Sequence, residues 1–231
     1  EIRHNLSALI ADALTAAEQL PKKSAVKPTI TRLQENLQIL RSYARYFDEA
    51  VADNAHRELV PNEIREVLNA FERVIAPRVK RAAIKLDVEV DGYDLYSRPM
   101  HRSEWASLLL NLYTNSLKAI KRAGEPGLIR IRAGEEGKRI YVEFSDNGDG
   151  IPPENVDRIF DAFFTTTSPP SPLAPQNEEL IGAGLGLKIS RDIVESHEGD
   201  ISLVSAPKGF QTCFRIEIPK ATDAELEHAK S

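Results

Sequence analysis

The sequence predicts an α+β fold, in which an N-terminal helical hairpin precedes an α/β sandwich. In residues 1–58, apolar side chains recur at intervals of three and four, which is typical of helices that pack along a narrow seam. From residue 61 to residue 220, segments with helical spacing alternate with segments in which every second residue is apolar, as in strands. Residues 221–231 form a tail to which we assign no function.

The hairpin is predicted from two seams that are separated by a break. The first seam covers residues 2–20 and the second covers residues 30–51. The segment between them, PKKSAVKP, contains two prolines, which interrupt a helix. Because two amphipathic helices bury their seams poorly alone, we expect a second copy of the chain to complete a four-helix bundle, which makes the protein a homodimer.

The second unit, residues 61–220, is predicted to contain three helices and five strands. Helices are expected at 64–76, 102–122 and 185–196, and strands at 83–90, 128–133, 140–145, 200–205 and 212–218. Residues 161–181 are rich in Thr, Ser and Pro and lack periodicity, so they are expected to form a mobile loop. The tail is expected to end in a loose helix.

Composition and charge argue against several classes of partner. Against 30 Lys and Arg there are 35 Asp and Glu, so the chain lacks the basic surface that nucleic-acid binders use to neutralise phosphates. No uncharged apolar stretch of about 18 residues could cross a bilayer, so we expect no membrane contact. The single cysteine, Cys213, offers neither a disulfide framework nor a zinc cluster, which favours a cytoplasmic location.

A polar stripe runs along the predicted helix 102–122, opposite an apolar side. In helical projection it contains Glu104, Asn111, Asn115, Lys118 and Arg122. A solvated helix face explains such a stripe equally well. Asparagines are weak helix formers, however, and the side-chain oxygens of this pair can hold a hydrated magnesium ion, while Lys118 can face a phosphate.

A turn follows the predicted strand 140–145, with the sequence SDNGDGIP. Gly148 and Gly150 allow a positive φ and a close approach of the backbone. An ordinary β-turn accounts for this pattern too. Alternatively, Asp146 at the end of a buried strand can accept a hydrogen bond from the exocyclic amine of adenine, and the glycines leave room for the ring.

Glycines also precede the predicted helix 185–196, in the sequence GAGLGLKI. Gly182, Gly184, Leu185 and Gly186 place backbone N–H groups at a helix N-terminus, where phosphate oxygens can bind. The strand order and the acidic residue of a dinucleotide-binding motif are missing. Alone, this glycine pattern is weak evidence for a nucleotide site.

Taken in order, NLYTNSLKAI, SDNGDGIP, RIFDAFFTTT and GAGLGLKIS resemble the four sequence boxes of the GHKL ATPases, and among these the sensor histidine kinases. The resemblance covers residues 61–220 and implies a sandwich of the GHKL (Bergerat) type that binds ATP and Mg²⁺. By this resemblance, Asn111 and Asn115 contact magnesium and polarise the phosphates, Lys118 binds phosphate, and Asp146 binds adenine. Asn111 is therefore expected to be catalytic and Asn115 to be a metal ligand.

The same resemblance assigns roles to other residues and reveals two departures. Phe160, Phe163 and Phe164 match the aromatic box at the base of the ATP lid, although ordinary core packing explains these phenylalanines equally well. Thr212 is expected beside the adenine-binding aspartate. Thr167 stands where many relatives have a lysine that faces phosphate. Glu198 precedes Gly199 where relatives have two glycines, and we expect this change to be tolerated.

The first residues, EIRHNLSALI, resemble the phosphoacceptor box of histidine kinases if the family's histidine immediately precedes Glu1. On this alignment Glu1 takes the imidazole proton, and His4 stands where the family has Asn or Thr, which orients water for dephosphorylation. Both His4 and the residue before Glu1 are expected on the exposed side of the helix, so either could accept the phosphoryl group.

The resemblance implies autophosphorylation on a histidine of the hairpin, followed by transfer to an aspartate of a response-regulator receiver domain. One alternative is a GHKL ATPase that uses ATP for conformational change, and the histidine box disfavours it. Another is an interaction module that binds nucleotide without phosphotransfer, and the intact asparagines and glycines disfavour that.

Overall fold

The structure is a computed structural model that describes residues 59–124, 126–164 and 185–229. The predicted hairpin, with Glu1 and His4, lies outside these ranges. So do Gly182, Gly184, Thr167 and most of the loop predicted at 161–181.

The described residues form seven strands, four α-helices and one 3-10 helix. In chain order these are β1 (Asn62–Glu63), α1 (Ile64–Arg81), β2 (Lys85–Val90), β3 (Tyr96–Ser97), α2 (Arg102–Ala123), β4 (Leu128–Glu136), β5 (Arg139–Asp146), the 3-10 helix (Pro153–Arg158), α3 (Gly186–Ser196), β6 (Asp200–Leu203), β7 (Thr212–Pro219) and α4 (Asp223–His228). This arrangement confirms the predicted α/β sandwich of the second unit.

A mixed five-stranded sheet lies at the centre, with the strand order β2-β4-β5-β7-β6. β2 and β4 pair in parallel, and the other neighbours pair antiparallel. The register aligns Ile131, Phe144 and Phe214 across three strands, and all three side chains are buried. The helices cover this inner face, where α1 contacts β2, α2 contacts β5, and α3 contacts β6 and β7.

The opposite face of the sheet is charged. Arg215 on β7 forms ion pairs with Glu136, Glu143 and Glu217, and its guanidinium lies over the ring of Tyr141. A sheet that is apolar on one face and charged on the other needs only one layer of helices. The polar turns at the sheet edge therefore remain accessible beside α2 and α3.

Helix α2 shows the two-sided pattern that the sequence predicted. Trp105 and Leu109 are buried in the core, and the polar stripe faces away from it. The Glu104 side chain caps the first turn by accepting a hydrogen bond from the backbone N–H of His101. Gly124 ends the helix in the left-handed conformation that glycine adopts most easily.

The predicted end of the first helix of this unit was wrong. Helix α1 continues past Pro77 to Arg81, because Ile75 and Val79 on either side of the proline are both buried in the core. Core packing here outweighs the hydrogen bond that proline removes. The sequence also missed β1 and β3, whose two-residue pairing has no measurable periodicity.

Glu198 occupies the left-handed region at φ +57°, where a glycine would be unstrained. Its carboxylate forms an ion pair with Arg98 at 2.9 Å. The next residue, Gly199, cannot carry a side chain, because a Cβ there would lie 2.4 Å from the carbonyl oxygen of Glu217. The corner therefore accepts a side chain at position 198 and excludes one at position 199.

Near the C-terminus, α4 is a short helix capped by Thr222 and Glu225, as the sequence suggested for the tail. Across the described ranges, no helix combines the length and the apolar character that crossing a membrane requires.

Candidate functional site

A cavity of about 420 Å³ opens between α2, the turn after β5, the start of α3 and β7. Its volume is within the range of small-molecule sites. Many of the residues singled out in the sequence line it, among them Asn111, Asn115, Lys118, Arg122, Asp146, Gly150, Leu185, Gly186 and Thr212. Residues that are far apart in the sequence thus meet around one space.

Asn111 is anchored across the cavity to α3. Its side-chain nitrogen Nδ2 donates hydrogen bonds to the carbonyl oxygen of Gly186, at 3.1 Å, and to Ser190 Oγ, at 3.2 Å. Ser190 is fully buried and donates in turn to the same Gly186 oxygen, at 2.9 Å. The amide oxygen Oδ1 is consequently the atom of Asn111 that can interact with a ligand.

Asp146 is the buried carboxylate of the cavity, only 2% exposed. Ser116 Oγ donates to its Oδ2 at 2.7 Å, and the backbone N–H of Gly148 donates to its Oδ1 at 2.9 Å. Burial raises the pKa of Asp146, and the hydrogen bonds from Ser116 and Gly148 oppose that rise. Thr212 is its register partner on β7, so a carboxylate and a hydroxyl lie side by side on the inner face.

Two glycines of the turn serve different purposes. A Cβ on Gly148 would lie 2.4 Å from Ala119 Cβ, so this glycine lets the turn pack directly against α2. Gly150 has φ +75°, which is the left-handed conformation that glycine tolerates. The sequence predicted both properties for the pair, and the structure divides them between the two residues.

A bidentate ion pair between Arg122 and Asp149 also connects the turn to α2. Arg122 Nε and Nη2 lie 2.6 Å and 2.9 Å from the carboxylate oxygens of Asp149. The backbone N–H of Asp149 donates to the carbonyl oxygen of Ala119, at 3.3 Å. These contacts fix the wall on which Asp146 lies.

The phenylalanines after the 3-10 helix divide between the two roles that the sequence allowed. Phe160 does not line the cavity, because its ring is buried edge-on against Phe214, 6.2 Å away, with Arg191 over its face. Phe164 lines the cavity instead, beneath the guanidinium of Arg158. Phe160 therefore supports the wall through Phe214, which is itself a lining residue.

Sequence reasoning missed several polar residues of the site. Ser116 and Ser190 bind Asp146 and Asn111, and Asn155 of the 3-10 helix lines the cavity. Ser116 directly follows the Asn115 position that the sequence did identify, but its partner lies 30 residues away. Only the fold brings such pairs together.

The donor set of the cavity suits a hard cation that keeps part of its water shell. Among the described residues, no cluster of three or more His, Cys, Asp and Glu side chains could enclose a metal by itself. Asn111 and Asn115 instead present amide oxygens, which are ligands that Mg²⁺ accepts together with water and phosphate. These residues fit a magnesium ion that arrives with a nucleotide.

A family model matches residues 101–222, and its description is "Histidine kinase-, DNA gyrase B-, and HSP90-like ATPase". The chain is similar to the sensor protein KdpD of Escherichia coli K12, at 39% identity over 52% of this chain and 12% of KdpD. It is also similar to the sensor histidine kinase GlrK of the same strain, at 29% identity over 89% of this chain and 40% of GlrK. The chain thus spans less than half the length of either relative.

Solved structures show the same fold. The catalytic domain of histidine kinase ThkA superposes with a TM-score of 0.58 at 28% identity, covering 71% of this chain and 97% of that domain. ThkA in complex with the response regulator protein TrrA superposes with a TM-score of 0.56 at 23% identity, covering 94% of this chain and 58% of that one. The second likeness concerns the fold alone.

Proposed function

This chain belongs to the histidine kinase-, DNA gyrase B- and HSP90-like ATPase family, and on that premise we propose that it is the catalytic core of a sensor histidine kinase. The observation that supports this proposal is the convergence of Asn111, Asn115 and Lys118 with Asp146 and the start of α3 around one cavity. The cavity binds ATP, and the enzyme transfers its γ-phosphoryl group to a histidine.

The adenine ring binds at the end of the cavity formed by Asp146, Thr212 and Gly150. Asp146 accepts a hydrogen bond from the exocyclic amine, and Ile151 and Phe214 supply apolar walls for the flat ring. The carboxylate is held by two donors within the protein, so it is oriented before the nucleotide arrives.

The triphosphate binds at the opposite end, near Asn111, Asn115, Lys118 and the N-terminus of α3. Backbone N–H groups at Gly186 and the helix dipole favour negative charge there. Asn115, with the amide oxygen of Asn111, would hold magnesium, which when bound neutralises the developing charge on the phosphates. Gly182 and Gly184 are proposed to extend this phosphate site.

The acceptor is a histidine of the predicted hairpin, either the residue before Glu1 or His4. An imidazole nitrogen forms a bond to the γ-phosphorus while the bond from that phosphorus to the bridging oxygen breaks, and ADP leaves. Glu1 takes the imidazole proton. The phosphoryl group then passes to a carboxylate oxygen of an aspartate on a response-regulator receiver domain.

We place these reactions in a dimer whose residues 1–58 form the shared helical bundle and whose residues 61–220 bind ATP. The periodicity of the two predicted seams supports this arrangement. The relatives named sensor histidine kinases support the kinase activity. A response regulator is the partner that the resemblance to this family implies.

The test is to label a chain that is extended at its N-terminus with ATP carrying a radioactive γ-phosphate. The expected product is phosphohistidine, which is labile to acid and stable to alkali. Substituting the accepting residue, either the residue before Glu1 or His4, should abolish the label, while His228→Ala, at an exposed histidine of α4, should leave it unchanged. Label that persists when both candidate histidines are replaced refutes the proposed acceptor. ATP hydrolysis without any label supports a conformational ATPase instead.

Dephosphorylation of the partner is tested separately by His4→Asn. This substitution restores the residue that the family uses to orient water, so release of phosphate from the regulator should become faster. An unchanged rate means that position 4 takes no part in that reaction.

A further inference from the structure

Ser116 projects from α2 toward the buried carboxylate of Asp146. It is 2% exposed, and its Oγ lies 2.7 Å from Asp146 Oδ2. The second carboxylate oxygen, Oδ1, accepts from the backbone N–H of Gly148 at 2.9 Å. Each oxygen of this carboxylate therefore has one donor inside the protein.

We infer that Ser116 is a positioning residue that orients Asp146 and supports it as a hydrogen-bond acceptor, and thereby sets the preference of the cavity for a 6-amino over a 6-oxo purine. The inference rests on the proposed function, in which the cavity binds ATP. It adds a residue whose role is to maintain the acceptor character of Asp146.

The surroundings of Asp146 explain why it needs such a donor. Burial favours the neutral acid and raises the pKa of the carboxyl group. Asp149 in the same turn raises that pKa further, whereas Arg122 on α2 lowers it. The strand neighbours Ile129 on β4 and Thr212 on β7 carry no charge. The hydrogen bonds from Ser116 and Gly148 are thus the main influences that oppose this rise and favour the ionised form.

The protonation state of Asp146 decides which purine fits. An ionised carboxylate only accepts hydrogen bonds, whereas a protonated carboxyl group also donates one. Adenine presents an amine that donates, and hypoxanthine presents a carbonyl oxygen that accepts at the same ring position. An ionised Asp146 therefore selects adenine, and a protonated one relaxes that selection.

The experiment compares ATP with inosine triphosphate, which differs from ATP in the 6-oxo group. Binding of each is measured from about pH 5 to about pH 9 with the full chain, the Ser116→Ala variant and Ser107→Ala as a control. Ser107→Ala makes the same exchange earlier in α2, at a residue that does not line the cavity.

Loss of Ser116 should weaken ATP binding about tenfold on the acidic side of the titration, because removing a hydrogen bond to the charged group raises the pKa of Asp146 and leaves less of it ionised. The pH at which ATP affinity falls to half should rise by about one unit, because a tenfold change corresponds to one pKa unit. The affinity for inosine triphosphate should change little, so the ratio of the ATP affinity to the inosine triphosphate affinity should fall. Ser107→Ala should behave as the unmodified chain does.

A Ser116→Ala variant with an unchanged pH profile and an unchanged preference overturns the inference. If Ser116→Ala does not fold, Ser116→Cys, which keeps a weak donor, should give an intermediate shift, and a profile identical to that of the unmodified chain overturns the inference equally. Failure of the unmodified chain to bind ATP at any pH refutes the proposed function itself. The two failures are therefore distinguishable.

Discussion

The side-chain nitrogen of Asn111 lies 3.1 Å from the carbonyl oxygen of Gly186, so α2 holds the first turn of α3 across the cavity. A second hydrogen bond to Ser190 strengthens this connection. Asn115, one helical turn later, lines the same cavity, and its side chain makes no such bond to α3 within the described ranges. The two asparagines, which look equivalent in the sequence, therefore differ in what they contribute to stability.

Asn111→Ala and Asn115→Ala should both abolish ATP binding, but only the first should destabilise the fold. Asn111→Ala removes two hydrogen bonds between helices, which should lower the free energy of unfolding by about 1–2 kcal/mol. Asn115→Ala should change it by less than about 0.5 kcal/mol. Urea unfolding measures the difference. Equal losses of stability in the two variants would show that the bond to α3 contributes nothing.

Asp146→Asn should make stability less dependent on pH and abolish ATP binding. Because the folded-state pKa of Asp146 is raised above its unfolded value, the group contributes stability that is fully present below the unfolded pKa, about 3.9, and is lost as pH rises through the folded pKa. Asparagine does not titrate. As pH rises from about 4 toward 7, the unmodified chain should lose this contribution and Asp146→Asn should not. The free energy of unfolding of Asp146→Asn, minus that of the unmodified chain, should therefore increase with pH.

Urea unfolding at several pH values between these limits tests this expectation. Asp157→Asn, at an exposed residue of the 3-10 helix, controls for the loss of one negative charge. A constant stability difference between Asp146→Asn and the unmodified chain over the whole interval contradicts the predicted sign.

Within the described residues, periodicity predicted the three main helices and the five strands of the central sheet, because these elements are long and each buries one side. It failed where tertiary packing decides the outcome, as at Pro77, where core contacts on both sides of the proline keep α1 helical. The two-residue strands β1 and β3 exist only as partners of each other, with Asn62 opposite Ser97. No local pattern encodes such a pairing.

The same limit applies to the site. The sequence identified residues such as Asp146 and Asn111, whose types and neighbours are distinctive in themselves. It could not find Ser116 or Ser190, because a buried serine has no signature until its partner is known. It placed Phe160 in the aromatic box, but its burial against Phe214 depends on how β7 lies beside that segment.

Gly148→Ala should be far more damaging than Gly137→Ala. A Cβ at position 148 would meet the side chain and backbone of Ala119 at 2.4 Å and 2.7 Å, so the turn or α2 must move, at a cost of about 2–3 kcal/mol. Gly137, in the β4–β5 turn, has φ +59° and no atom within 4 Å of its would-be Cβ. Alanine at position 137 meets no steric clash, so it should lower the free energy of unfolding only through the strain of the left-handed conformation, by about 1 kcal/mol.

Urea unfolding and ATP binding of the two glycine variants separate these effects. Gly148→Ala should also weaken ATP binding, because Gly148 supplies the backbone donor to Asp146. Gly137→Ala should bind ATP normally. Similar free energies of unfolding for the two variants would mean that the turn can move away from α2 without destabilising the fold.

Substitutions at Glu198 should separate backbone strain from the ion pair with Arg98. Glu198→Gly relieves the left-handed conformation at φ +57°, whereas Glu198→Ala retains it, and both variants lose the ion pair. Because both variants lack the ion pair, only the backbone conformation distinguishes them, and the glycine variant should melt about 3–6 °C above the alanine variant. ATP binding should be the same in both, since this corner does not line the cavity. Thermal unfolding decides the point, and an alanine variant that melts at or above the glycine variant would show that position 198 is unstrained.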